Sequence, residues 1–202
     1  YRGESIMGMF NAIQDANYWS NSYQGRGGLM NKGRFLWHNL GESHDDPSED
    51  DNEGIRRIRA GIDAALPAFN TEISKFNLSR DQLKEQLFKT AIHESKNGTL
   101  NRQITSDGQA DGRGRGYWMI EASTAMDLLQ GGGKRRSSRY LGEDADKILK
   151  EYGLSAETLH DLGKGDLSAL GRTIQNNPVL GAIFAGAKYM QRLRGNEDVL
   201  RD

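Results

Sequence analysis

The sequence predicts a mainly α-helical domain with a small loop or β element, preceded by an extended N-terminal arm. Three observations predict it. Apolar residues recur at helical spacing in successive blocks from Ile55 onward, and residues 99–116 form a polar, glycine-rich stretch between two such blocks. Residues 1–40, rich in glycine, asparagine and aromatic side chains, hold neither a helical nor a strand period.

The arm has apolar aromatics but too little pattern to fold alone, so it is expected to dock on a neighbouring subunit. Acidic and turn-forming residues then crowd around Pro47 in ESHDDPSEDDNEG, a linker with almost nothing to bury. The division expected is an arm and acidic linker over residues 1–54 and one helical domain over 55–202.

Within that domain Ile55, Ile58, Ile62 and Ala65 form one stripe of a first helix that ends before Pro67. Ser79 and Gln82 have capping-box spacing and open a second helix. There Leu83, Leu87 and Ala91 repeat at i+4 with Phe88 and Ile92 beside them, and Glu94 falls in the last turn before Lys96-Asn97-Gly98. The run from Asp111 to Gly116 suits turns or a small hairpin. Helix resumes over Ser123 to Gln130 and stops at a triple glycine, Gly131 to Gly133.

Short helices are expected over Glu143 to Tyr152, Ser155 to Leu162 and Asp166 to Gln175. Asn177 and Pro178 sit in favourable Ncap and N1 positions for a final helix. Its first half is apolar or small on every face, which suits a helix surrounded by others, and Gly181, Ala182, Ala185 and Gly186 permit close approach.

Composition narrows the function. A chain of 202 residues with 36% hydrophobic and 27% charged residues can bury one sizeable core plus an extension. Its 27 basic and 28 acidic residues give a formal charge of -1, so no global field draws it to nucleic acid or an anionic membrane. The absence of cysteine excludes disulfides, thiol catalysis and cysteine-ligated metals. No apolar run approaches the roughly 20 residues of a membrane span. The chain opens at Tyr1 with no signal-peptide layout, so residues upstream of it are expected.

Glu94 is the leading candidate for chemistry. Glycosidic cleavage needs an acid whose carboxyl stays protonated near neutral pH, and an apolar surround raises a carboxyl pKa. The helix bearing Phe88, Ala91 and Ile92 offers that surround; the competing reading is a solvated helix terminus. A hydrolase of the inverting type would need a second carboxylate about 6.5 to 9.5 Å away, for which Asp107, Asp111 and Glu121 are the candidates. Glu121 reads equally as a residue favouring the positive end of the helix that follows.

No cofactor is expected. His93 should project about 100° away from Glu94 on a helix, which argues against a dyad, and no HExxH-like metal spacing occurs. The GRGRG run lacks the Lys-Ser/Thr ending of a phosphate-cradling loop, so it reads as a cleft-edge turn that brings Arg113 and Arg115 near anionic groups. The Lys134 to Arg139 cluster reads as a solvated loop and, together with GRGRG, gives nucleic-acid binding weak support.

Taken together, AIHES, GYWMIEASTAMDLL and NPVLGAIFAGAKYM, in that order over residues 80–193, resemble the lysozyme-like lytic transglycosylases, especially those carried by bacteriophage virions. The resemblance implies a lysozyme-like fold and cleavage of the MurNAc-GlcNAc β-1,4 bond in peptidoglycan. Glu94 would be the catalytic acid. Ser95, Gly116, Tyr117, Trp118, Met119 and Glu121 would line the substrate cleft, with one aromatic of the Tyr117-Trp118 pair placed in the core.

The family usually has Gln where this chain has Met119, and a shorter loop between the Glu and the glycine-led block. The resemblance further implies a virion protein acting in the host periplasm or cell wall during genome entry. Its partners would be glycan strands and, through the arm, other virion proteins. The alternative is a structural ejection protein that keeps the fold with weak or no catalysis.

Overall fold

A computed structural model describes residues 51–105, 108, 112–130, 141 and 143–199. The arm, Asp107, Asp111, the triple glycine and the Lys134 to Arg139 cluster lie outside the described residues.

The described chain is mainly α-helical. In order it forms α1 (Glu53–Ala65), a 3-10 helix (Leu66–Phe69), α2 (Asn70–Lys75), α3 (Arg80–Glu94), β1 (Gly114–Arg115) and β2 (Ile120–Glu121). There follow α4 (Ala122–Gln130), α5 (Glu143–Glu151), α6 (Ala156–Gly165), α7 (Leu167–Asn176) and α8 (Pro178–Val199). Two units divide the chain. Asp46–Lys188 carries every element up to Lys188, and of the other unit the described residues are the helical Tyr189–Val199.

Helix starts follow local chemistry. Ser79 and Gln82 form the expected capping box, with Ser79 N donating to Gln82 Oε1 at 2.8 Å and Gln82 N donating to Ser79 Oγ at 3.0 Å. Ser155 and Thr158 cap α6 in the same reciprocal way. Asn177 Oδ1 accepts from Leu180 N at 3.2 Å, with Pro178 opening α8.

Pro67 ends α1 as an α-helix, yet the chain continues through the 3-10 helix, because proline lacks only a donor that the first turn of a new helix does not need.

Folded structure begins earlier than the acidic composition suggests. Asp51 is 9% exposed and its carboxylate pairs with Arg59 Nε at 2.8 Å, while the Arg59 guanidinium lies 4.3 Å from the Phe88 ring centroid. Asn52 caps α1 by accepting from Ile55 N at 2.9 Å. Asp51 to Gly54 therefore belong to the helical unit, which shifts the expected boundary at Ile55 toward the N-terminus.

Replacing the cap, Asn52→Ala, should lower stability by about 1 kcal/mol, read as a lower urea midpoint at unchanged slope.

The core of the larger unit forms around the first half of α8. Residues 179–187 are all buried, as the all-round apolar sequence requires. Small residues set the spacing. A Cβ on Gly186 would stand 2.3 Å from Phe69 Cζ of the 3-10 helix, and one on Gly181 would stand 3.1 Å from Trp118 Cε3. Pro178 meets α1 at Gly61 in the same manner, 2.9 Å from the point a Cβ would occupy.

Around this centre α1 packs on α3, α5 on the 3-10 helix, and α4, α6 and α7 on one another. Among the described residues no helix is long and apolar enough to cross a membrane.

The start of α7 carries a pH-sensitive cap. Asp166 Oδ1 accepts from Ala169 N at 3.0 Å and Oδ2 faces Arg172 at 3.4 Å. The backbone donor first, and then Arg172, hold this carboxyl below the usual aspartate range. A depressed carboxyl contributes stability above its unfolded pKa, about 3.9, and that contribution is lost as pH falls through the lower folded value.

Asp166→Asn keeps a capping oxygen without the titration. It should therefore flatten the acid limb of a stability-against-pH curve by lowering neutral stability slightly toward the acid value, where Asp and Asn cap alike.

Candidate functional site

Glu94 is the last residue of α3, whose inner face of Leu83, Leu87 and Ala91 is fully buried. The Glu94 side chain is 20% exposed, partly sheltered but open to solvent. His93 Nδ1 lies 3.8 Å from Glu94 Oε1, too long for a hydrogen bond but close enough for Coulombic contact when the imidazole is charged. The two side chains approach each other without the hydrogen bond that would make a dyad. Helical geometry separates their Cβ directions, yet at the end of a helix both side chains are long enough to swing over the same last turn.

After Glu94 the backbone makes a strained turn. Lys96, Asn97 and Gly98 are all left-handed, with φ of 50°, 57° and 74°. That region is uncommon for side chains other than Asn and costs of order 1–3 kcal/mol per non-glycine residue.

Several contacts hold it. Ser95 Oγ accepts from Gly98 N at 2.7 Å, Asn97 N donates to Ile92 O at 2.8 Å, and Leu100 N donates to Ser95 O at 2.8 Å. From across the fold Asn52 Nδ2 donates to Asn97 O at 2.7 Å. Ser95 is completely buried, so it organises the turn from inside and presents no surface to a ligand. Its expected place in the cleft lining is corrected to a supporting one.

The chain beyond this turn is tied to the hairpin. Gly116 N donates to Asn101 O at 2.8 Å, Gln103 N donates to Gly114 O at 3.0 Å, and Arg102 pairs with Arg115 in an isolated antiparallel bridge. In the hairpin itself Gly114 pairs with Glu121 and Arg115 with Ile120, so residues 116–119 form the connecting loop.

The hairpin turn thus falls on the Gly-Tyr-Trp-Met block and not inside residues 99–116. The reason is visible in its ends. Gly116 has φ 70° and Met119 φ 49°, and Met119 N donates to Gly116 O at 3.1 Å. A left-handed methionine gives no turn signature in sequence.

Burial decides what this loop can touch. Trp118 is 2% exposed and its Nε1 donates to Leu87 O at 2.9 Å, locking the loop onto α3. It is a core residue, and no face is open for a sugar ring. Tyr117 is 7% exposed, with its hydroxyl against Arg57, the residue that also pairs with Glu53 at 2.8 Å. Both aromatics therefore pack inward, where one was expected to.

Gly116 is buried too: its N–H donates to Asn101 O, its C=O accepts from Met119 N, and a Cβ there would approach Ile174 O at 3.3 Å. Met119 is partly exposed.

Glu121 lies in β2 and accepts from Ser123 Oγ at 3.4 Å. It helps line an open cleft of about 380 Å³ with Arg113, Arg115, Ser123, Leu167 and Gly171. Glu94 is not among the residues lining that cleft. Sequence spacing gave no sign that α7 would complete it, because α7 lies far along the chain from the hairpin. Among the described residues no group of three or more His, Asp or Glu side chains is placed to hold a metal ion.

No family model matches the chain, and neither a curated protein nor a solved structure matches it.

Proposed function

We propose that this chain is a peptidoglycan lytic transglycosylase of lysozyme-like fold. The observation that carries the reading is the setting of Glu94. It is a carboxyl at the end of a helix with a buried inner face, 20% exposed, followed by a left-handed turn whose strain is offset from several directions. Backbone strain held by its surroundings clusters at functional sites. The hairpin is fastened to the same helix at Leu87, seven residues or roughly 10 Å along the axis before Glu94.

In this reading Glu94 protonates the bridging oxygen between MurNAc and GlcNAc, and the glycosidic bond breaks. The resulting carboxylate then removes the proton from the muramoyl C6 hydroxyl, whose oxygen bonds to C1. A 1,6-anhydro ring closes, no water is consumed, and Glu94 returns to its protonated form. Virion association, action in the host periplasm or cell wall, and docking of the arm on other virion proteins are proposed from the family resemblance.

Digestion of purified peptidoglycan, with product masses measured, tests the reading. Anhydro-muropeptides are expected; products with reducing ends would assign hydrolysis instead, with Glu121 the described candidate for activating water.

Burial of Ser95, Tyr117 and Trp118 favours a second reading. With those side chains packed inward, a structural ejection protein that keeps the fold without catalysis would show intact glycan after digestion.

A further inference from the structure

The cleft beside the hairpin holds an unbalanced set of charges. Arg113, in a bend, and Arg115, in β1, flank Gly114, and both line the cleft. The stem of Arg115 lies over Gly171 of α7, with Cγ 3.3 Å from where a Cβ would stand, so a side chain at that position would crowd this arginine.

One nitrogen of the Arg115 guanidinium donates to the carbonyls of Gly112 and Gly114, which fixes the group in place. Arg102 sits opposite Arg115 in the bridge, and its buried Nε has no hydrogen-bond partner among the described residues. Among the described residues neither Arg113 nor Arg115 has an ion-pair partner, although Glu121 lines the same cleft. Burial first, then the neighbouring Arg102, pushes the Arg115 guanidinium below its usual range. Like charges brought together in a partly buried place without a counter-charge fit a ligand that brings one.

The remaining lining narrows the ligand. Two guanidinium groups match a carboxylate, whereas Glu121 repels a dianion such as phosphate and accepts from an ammonium or amide. Leu167, 45% exposed, offers an apolar wall for a short aliphatic chain. The ligand class is thus a carboxylate and an amino group on a small aliphatic frame.

We propose that this cleft, whose lining does not include Glu94, binds the peptide stem of peptidoglycan through Arg113, Arg115 and Glu121. The identity of the ligand as a stem rests on the reading of the chain as a peptidoglycan enzyme.

The test uses the full chain carrying Glu94→Gln, titrated with a soluble stem peptide that ends in a diamino-dicarboxylic acid. Arg113→Gln, at an exposed residue, should weaken binding about tenfold or more, one lost charge-assisted contact. Arg115→Gln should do the same, and amidating the terminal carboxylates of the peptide should reproduce the loss on the unaltered cleft. Inorganic phosphate should not compete.

Undetectable stem binding, equal binding by Arg113→Gln, or displacement by phosphate would overturn the site. The two proposals fail separately. A chain that binds the stem but leaves glycan intact overturns the enzyme reading alone, and one that cuts glycan while ignoring the stem overturns this cleft alone.

Discussion

Glu94→Gln is expected to lower the rate of muropeptide release by roughly 10²- to 10⁴-fold, the usual contribution of a positioned general acid or base. The loss should sit in kcat, since the amide keeps the shape and hydrogen-bonding reach of the carboxyl but can neither give nor take the proton. Stability should hardly change. The side chain is partly exposed, the substitution removes no buried volume, and Ser95, Asn52 and Gly98 organise the turn that follows.

Unaltered release by the variant, with an unaltered melting curve, would remove Glu94 from the mechanism and leave the structural reading standing. Release that falls together with the melting temperature would point to a folding defect instead. The two readouts therefore belong in one experiment.

What the sequence disclosed of this fold was its local chemistry. The Ser79-Gln82 box, the Asn177-Pro178 start and the small-residue face of α8 are written in neighbouring residues, and each appears where its spacing puts it. Glu94 could be placed in the last turn of its helix for the same reason.

The site was less legible because its parts are defined by partners far along the chain. Whether Trp118 faced a ligand or the core depended on Leu87 and Gly181, on two other helices. Ser95 looks like a polar helix terminus until Gly98 folds back over it. Arg113 and Arg115 gain meaning only when α7 closes their cleft. Asn52 and Gly54, embedded in an acidic run that reads as linker, serve a turn more than forty residues away, as the separation of 45 between Asn52 and Asn97 records.

Gly54 supplies the other large effect. A Cβ on this residue would stand 1.8 Å from Gly98 O and 2.6 Å from Gly98 C, an overlap with backbone that no side-chain rotation can relieve. Gly98 is in turn held at φ 74°, and a Cβ on it would meet Ile55 N at 2.7 Å, so the two glycines are pressed together from both sides. Gly54→Ala must therefore push α1 away from the Lys96–Gly98 turn.

The cost of such overpacking is about 3 kcal/mol, which in a chain of this size lowers the melting temperature by roughly 6–12 °C. It also strikes at function. The turn is the continuation of Glu94, and loosening it releases the Asn52 to Asn97 contact that helps hold it. Displacements near 1 Å at a reacting group cost on the order of 10²-fold in rate, so activity of the folded fraction should fall well below what the loss of stability explains. Melting and digestion measured on the same variant at a temperature where it remains folded would check both parts. If Gly54→Ala melts like the parent, the close approach of α1 to this turn is wrong. If it is destabilised yet digests at the parental rate when folded, the turn does not position Glu94.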